Sequence, residues 1–326
     1  MSRPAGDEHP RPVFIAGCGR SGTSLLRTLI DGHPDVYIPS ESLFIPDYLL
    51  DGDRLPPGLL SALLFHEPQL LCWYDGPTEL RGDVARTIAT IHDHMASRNG
   101  ASTWGQKTPR FVRHRDLIDH ALGPCNWLLV YRDPRAVCAS MRRSGQHSSS
   151  VSRACSRWKR DNQEIVRLVE SPTRCLENIH LVRYETLVSN PEASLARILE
   201  FLQLRQVALD ELLKNTRPVF FSRSRFENNT IPNGVLPDPS RISDWQSVLS
   251  PSEVSYIEST CLHEMEVLGY STVMQTPGRG IPATDAIERV RDIRIVLRYL
   301  AKWPTYPLYT GIRKLVLGAY RKWPVE

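Results

Sequence analysis

The 326-residue chain has no C-x-x-C pair, and its seven cysteines are odd in number and scattered from Cys18 to Cys261. That pattern argues against a disulfide framework or a cysteine-rich zinc site and leaves reduced thiols as the expectation. No uninterrupted apolar run approaches membrane-spanning length, so no transmembrane helix is expected. Residues 1–12 are polar and carry Pro4, Pro10 and Pro12. They lack the apolar core of a secretory leader, and the expectation is a flexible N-terminus on a cytoplasmic protein. Low-complexity segments and internal repeats are missing as well, which excludes a repeat array. With 41% hydrophobic and 23% charged residues, the chain is an ordinary globular sequence long enough to bury a sizeable core.

Charge of one sign is scarce except at one end. The net charge of +4 arises between Asp285 and Glu326, where nine Lys and Arg face four acids. The excess is modest and no recognition motif accompanies it, so nucleic-acid binding is not expected. Within residues 283–326, Asp285-x-x-Glu288 reads as a helix cap before Ile287, Val290, Ile293, Val296, Leu297 and Leu300 on one broad face. A second amphipathic segment carries Leu308, Ile312, Leu315, Val316 and Ala319, with Trp303, Tyr306, Tyr309, Tyr320 and Trp323 alongside. Two readings fit this basic extension: a peripheral membrane or lipid-acceptor surface, or a helical pair packed on the domain or in a homodimer.

What the sequence does contain begins at Val13. The apolar run Val13–Ala16 meets Gly17-Cys18-Gly19-Arg20-Ser21-Gly22-Thr23-Ser24, followed by Leu25, Leu26, Leu29 and Ile30. This order reads as buried strand, Gly-rich turn, helix, an arrangement that presents backbone N–H groups to an anion. The spacing matches the phosphate loop G-x-x-x-x-G-K-[ST], but Thr23 stands at the lysine position. Mg-ATP chemistry thereby loses its main cation, while Arg20 offers a planar fork of donors suited to an oxyanion. Cys18 reads as a small residue in a tight turn.

Further strands are expected at Val36–Ile38, Trp104–Lys107, Asn126–Arg132 and Ile179–Arg183, with helices between them. Thr108-Pro109 and Asp133-Pro134 read as cap-plus-proline helix starts. Ser250 with Glu253 reads as a capping box opening a helix to about Leu268. The alternation predicts a three-layer α/β/α fold around a parallel sheet, with the ligand beyond the carboxyl ends of the strands. The 17–24 loop, Glu41, Lys107, Arg132 and Tyr184 all fall at such ends, and Ser140 lies two turns into the helix after Arg132. His92-Asp93-His94 invites a metal reading, but i and i+2 do not share a helical face, and a solvated helix is expected instead. Residues 215–244 read as a long loop made basic by Arg223, Arg225 and Arg241, as a lid over a polyanion would be.

These motifs together resemble those of sulfotransferases that use 3′-phosphoadenosine-5′-phosphosulfate (PAPS), with the tyrosylprotein-type and related bacterial enzymes most similar in pattern. Gly19 to Val36 resembles the family's 5′-phosphosulfate loop, and Tyr131-Arg132-Asp-Pro-Arg-Ala-Val-Cys-Ala-Ser140-Met its 3′-phosphate motif. Lys107-Thr-Pro and Arg183-Tyr184-Glu-Thr-Leu-Val also fit, and the likeness runs from Val13 to Tyr270. The resemblance implies a P-loop-like α/β domain over residues 13–275, a C-terminal extension over 283–326, PAPS as co-substrate, no metal, and a hydroxyl acceptor that is a carbohydrate, tyrosine or small metabolite. It further implies that Arg20, Ser21, Gly22, Thr23 and Ser24 hold the 5′-phosphosulfate, Arg132 and Ser140 the 3′-phosphate, and Tyr184 the nucleotide. Glu41 would be the base, with Lys107 and Arg20 stabilising the leaving group. Two positions depart from the tyrosylprotein pattern: Ser144 replaces a basic residue, and Asp244 replaces a lysine before Trp245. Arg143 or Arg241 would then complete the phosphate clamp. The competing readings are a kinase using the same loop and a non-catalytic nucleotide-binding protein.

Overall fold

Short apolar runs rich in β-branched and aromatic side chains are buried on both faces when they become parallel strands. The computed structural model of the chain describes residues 10–144, 149–171, 177–215, 217, 238–274, 280–302 and 305–321. Its strands are β1 (Val13–Gly17), β2 (Val36–Tyr37), β3 (Thr103–Lys107), β4 (Asn126–Tyr131) and β5 (Ile179–Arg183). They form one sheet in the order β2-β3-β1-β4-β5. Every pairing is parallel, with Val13 opposite both Gly105 and Asn126, and Tyr131 opposite Arg183.

Parallel neighbours require crossovers, and helices supply them. In chain order they are α1 (Thr23–Asp31), α2 (Ile45–Asp51), α3 (Pro57–Leu64), α4 (Val84–Arg98), α5 (Arg115–Leu122), α6 (Pro134–Ser144), α7 (Val151–Glu170), α8 (Tyr184–Ser189), α9 (Pro191–Phe201), α10 (Leu209–Lys214), α11 (Pro251–Thr260), α12 (Leu262–Val267), α13 (Thr284–Lys302) and α14 (Thr305–Arg321). Alternation along β1 divides the core: Val13 and Ile15 pack with Leu26, Leu29, Ile30 and Leu195 on one face, while Phe14 packs with Trp127, Val137, Trp158 and Ile165 on the other. The result is the three-layer α/β/α fold expected from the sequence. Because β1 lies between β3 and β4, the strand order reverses there, and the loops after β1, β3 and β4 meet at one edge.

Several local expectations are corrected. Thr108 does not cap a helix; Pro109–His114 is a 3₁₀ turn and the Thr108 hydroxyl instead accepts from the Ser42 backbone N–H at 3.0 Å. The helix after Ser250 breaks at Cys261 into α11 and α12. His92 is not solvated: it is 1% exposed and sits between the rings of Trp73 and Trp104, 4.9 and 4.5 Å away. Asp285 lies inside the first turn of α13, where its carboxylate accepts from the hydroxyls of Ser150 and Ser152 at 2.8 and 2.6 Å. That contact ties the extension to the start of α7. α14 packs on α2, with Arg313 donating to Asp47 and Glu67 at 2.7 and 2.6 Å. Ile287, Val290, Ile293, Leu297, Leu308, Ile312 and Leu315 nevertheless stay exposed. Arg223 and Arg225 lie outside the described residues, as do residues 1–9.

The capping box at Ser250 and Glu253 is formed, and Arg142 donates to the same carboxylate at 2.6 Å. Burial pushes the Glu253 carboxyl up, but the Arg142 hydrogen bond and the Ser250 amide and hydroxyl outweigh it and hold the pKa at about 2, below the ordinary 4.5. A depressed carboxyl stabilises the fold above its unfolded pKa and ceases to do so as pH falls through its folded one. We therefore expect the Glu253→Gln variant to show a flatter loss of stability between pH 4.5 and about 2 than the wild type. Chemical denaturation across that window checks this, and parallel acid limbs would contradict it.

Candidate active site

The loop after β1 ends at Gly22, whose φ of 100° lies in the left-handed region. A Cβ there would stand 2.4 Å from the Tyr184 ring, so glycine alone lets α8 close over the amino end of α1. No side chain caps that helix end, which leaves its first N–H groups directed at the loop. Arg20 also has a positive φ, 74°. For a non-glycine residue that conformation costs about 1–3 kcal/mol and persists only when neighbours enforce it.

The neighbours are the other motifs. Arg20 Nε donates to Ser140 Oγ at 3.2 Å. Arg132, at the tip of β4, donates to the Arg20 carbonyl at 3.2 Å and to the Arg241 carbonyl at 2.5 Å, and its guanidinium lies 3.9 Å over the Tyr184 ring. The Trp158 indole fixes the strand end by donating to the Arg132 carbonyl at 2.9 Å. Arg20, Arg132, Ser140 and Tyr184 thus form one unit, although they span 165 positions of sequence from first to last. Burial, then the charges of Arg132 and Arg143, push the Arg20 guanidinium down. An anion placed among these cations relieves that repulsion. Among the described residues Ser21 Oγ and Arg132 Nε are buried without hydrogen-bond partners, which is the condition an oxyanion ligand would satisfy.

Glu41 and Lys107 occupy the adjoining half. Lys107 Nζ donates to Glu41 Oε1 at 2.5 Å and reaches Ser24 Oγ at 3.4 Å. The lysine is 1% exposed and the carboxylate 26%, so the pair has a buried ammonium and an open carboxylate. Behind it, Gln106 donates to Ser42 Oγ at 2.9 Å and contacts His92 at 3.3 Å. Burial pushes the His92 imidazole down to about 4, so it is a neutral strut holding the strand exits together.

Two of the arginines considered for the phosphate clamp meet at Asp244. Arg143 and Arg241 pair with its carboxylate at 2.9 and 3.1 Å, while Arg142 is committed to Glu253. Arg157 was not singled out by sequence. Its guanidinium comes so close to the loop that a Cβ on Gly19 would lie 2.8 Å from it, and it pairs with Asp161 at 3.5 Å. The i, i+4 spacing of Arg157 and Asp161 marks a helix pair only; nothing local shows that α7 passes under the β1 loop.

Comparison with known proteins bears directly on this site. The model of the sulfotransferase family matches residues 12–208. Protein-tyrosine sulfotransferase 1 of Danio rerio is 24% identical over 292 residues, covering 86% of this chain and 78% of that protein. Protein-tyrosine sulfotransferase 1 of Homo sapiens is 24% identical over 290 residues, covering 86% and 75%. A solved sulfotransferase domain from the Synechococcus PCC 7002 olefin synthase shares the fold with a TM-score of 0.54 at 23% identity, over 83% of this chain and 99% of that one. The likeness to protein-tyrosine sulfotransferases overturns the cytoplasmic placement read from the sequence. No helix among the described residues is long and apolar enough to cross a membrane, and the polar residues 1–12 on which that placement rested assign no compartment. With a matching family model over more than half its length and the Gly-rich loop, strand-end arginine and carboxylate–lysine pair gathered at one sheet edge, the chain belongs to the sulfotransferase family and is a sulfotransferase enzyme.

Proposed function

We propose that the sulfuryl donor is PAPS and that transfer to an acceptor hydroxyl occurs between the Arg20–Ser24 loop and Glu41. The observation that carries this reading is the joining of two half-sites through Lys107, whose ammonium lies between the Glu41 carboxylate and Ser24 of the loop. Ser21, Gly22, Thr23 and Ser24 hold the 5′ end of the donor on backbone N–H groups. Arg132 and Ser140 bind its 3′-phosphate, and Arg143 with Arg241 complete the clamp. Tyr184 takes the nucleotide. Glu41 accepts the proton of the attacking hydroxyl, and Lys107 with Arg20 neutralises charge on the departing phosphate oxygen. In this reading residues 13–275 form the sulfotransferase domain and 283–326 its extension.

A kinase using the same loop is disfavoured by Thr23, buried at the position where a phosphate-loop lysine would stand. Calorimetry with 3′,5′-phosphoadenosine (PAP), the product of PAPS, against Mg-ATP tests the choice. Tight PAP binding without metal is expected; metal-dependent ATP binding with no PAP binding would reverse the assignment. Mass spectrometry of hydroxyl compounds incubated with PAPS and the enzyme is expected to show the gain of one SO₃. Arg157→Ala, which removes a cation beside Gly19, is expected to weaken PAP by about tenfold; unchanged affinity would remove Arg157 from the donor site.

A further inference from the structure

A cavity of about 420 Å³ lies between the 3₁₀ turn Pro109–His114 and α14. One wall carries Leu43, two residues beyond Glu41, with Arg110 and Phe111, three and four residues beyond Lys107; the other carries Thr310 and Lys314 of α14. Those short separations along the chain place this wall of the cavity on the same strand exits as the group assigned as base. The volume suits a small organic ligand. α14 lies beyond the segment that the family model matches, and its position is built in. Arg313 is 2% exposed and paired with Asp47 and Glu67, and the Tyr309 hydroxyl donates to the Leu63 carbonyl.

The charges lining the cavity are not balanced. Arg313 is neutralised by its two carboxylates, and Asp47 is occupied by that pairing. Arg110 and Lys314 are exposed and have no carboxylate partner among the described residues. Partial burial of its guanidinium, then the neighbouring cations Arg157 and Arg113, push Arg110 down although the residue as a whole is exposed, and an anion in the cavity would relieve the repulsion. Leu43 and Phe111 supply apolar contact beside the two cations.

Resting on the sulfotransferase site described above, we propose that this cavity is the acceptor pocket, that α14 is its outer wall, and that it takes a small hydroxyl compound bearing an anionic group. Arg110 and Lys314 hold the anionic group, and the hydroxyl faces Glu41. The extension at the carboxyl end is therefore a specificity element of the enzyme rather than an appendage.

The test uses the full chain saturated with PAP and two probes that differ in charge, 4-hydroxyphenylacetate and 4-hydroxyphenylethanol, with dissociation constants from ligand-observed NMR. The carboxylate probe is expected to bind about tenfold more tightly than the neutral one. Lys314→Glu and Arg110→Glu, both at exposed positions, are each expected to abolish that preference while PAP affinity and the melting temperature hold. Equal binding of the two probes, no binding of the carboxylate probe, or a preference that survives both reversals would each overturn the pocket assignment, provided PAP binds. If the wild type does not bind PAP, the donor site itself falls and this pocket with it.

Discussion

Glu41→Ala and Lys107→Ala will each lower turnover from PAPS by about 10²- to 10⁴-fold, with PAP affinity changed by less than about threefold. The expectation follows from where the pair stands. Its members are 2.5 Å apart, and Lys107 reaches the loop at Ser24, 3.4 Å away, whereas Arg20, Arg132, Ser140 and Tyr184 hold one another through contacts of their own. Chemistry and nucleotide binding are therefore separable. Glu41→Ala also removes the carboxylate from beside an ammonium that is 1% exposed, so its melting temperature will fall, and Glu41→Gln is the better-matched control. Because base and electrophile act on the same transition state, the double variant will lose far less than the product of the single losses. Near-normal turnover in both single variants would remove both roles.

Arg313→Ala will destabilise the protein by about 3–5 kcal/mol. The guanidinium joins Asp47 and Glu67 across the α14–α2 contact, and among the described residues the Glu67 carboxylate, on a residue 0% exposed, otherwise has the Tyr48 hydroxyl at 3.1 Å. Burial already pushes the Glu67 carboxyl up even with Arg313 beside it; without the arginine it is left as an uncompensated buried acid. Pairing Arg313→Met with Glu67→Leu will recover most of the loss, since a buried ion pair is often matched by apolar side chains of similar volume. Denaturant unfolding of the single and double variants measures both. A single-variant loss under about 1 kcal/mol would mean that α14 is not seated on α2 in solution.

Much of this site is visible in the chain because its parts are punctuation between regular elements. Gly17 to Ser24, Arg132 and Tyr184 each follow an apolar run, and a parallel sheet sends all such ends to one edge. What sequence could not supply is lateral approach. Arg157 sits mid-helix in α7, Arg110 in a 3₁₀ turn, and neither position carries a local mark of what lies across from it. Asp244 reads as a lost lysine, yet in space it is the acid that draws Arg143 and Arg241 together. His92 and Asp285 carry the same lesson: polar spacing implied solvent and a helix cap, but aromatic stacking and the Ser150 and Ser152 hydroxyls decided their surroundings. The placement of α14 over α2 depends on a buried arginine 246 and 266 residues from its two acids.

The position of β1 has a consequence for how the chain is made. It is synthesised before the strands it pairs with and is the middle strand of the sheet, and its partners start at Thr103 and Asn126. At about 5–20 residues per second of synthesis, the strand that carries the donor loop waits on the order of ten seconds before either neighbour exists. During that interval Val13–Ala16 is an unpaired apolar edge with two open sides, and pairing over such sequence separation is slow even afterwards. Nascent chains halted before residue 103 should thus be the aggregation-prone species, and those halted after residue 131 markedly less so.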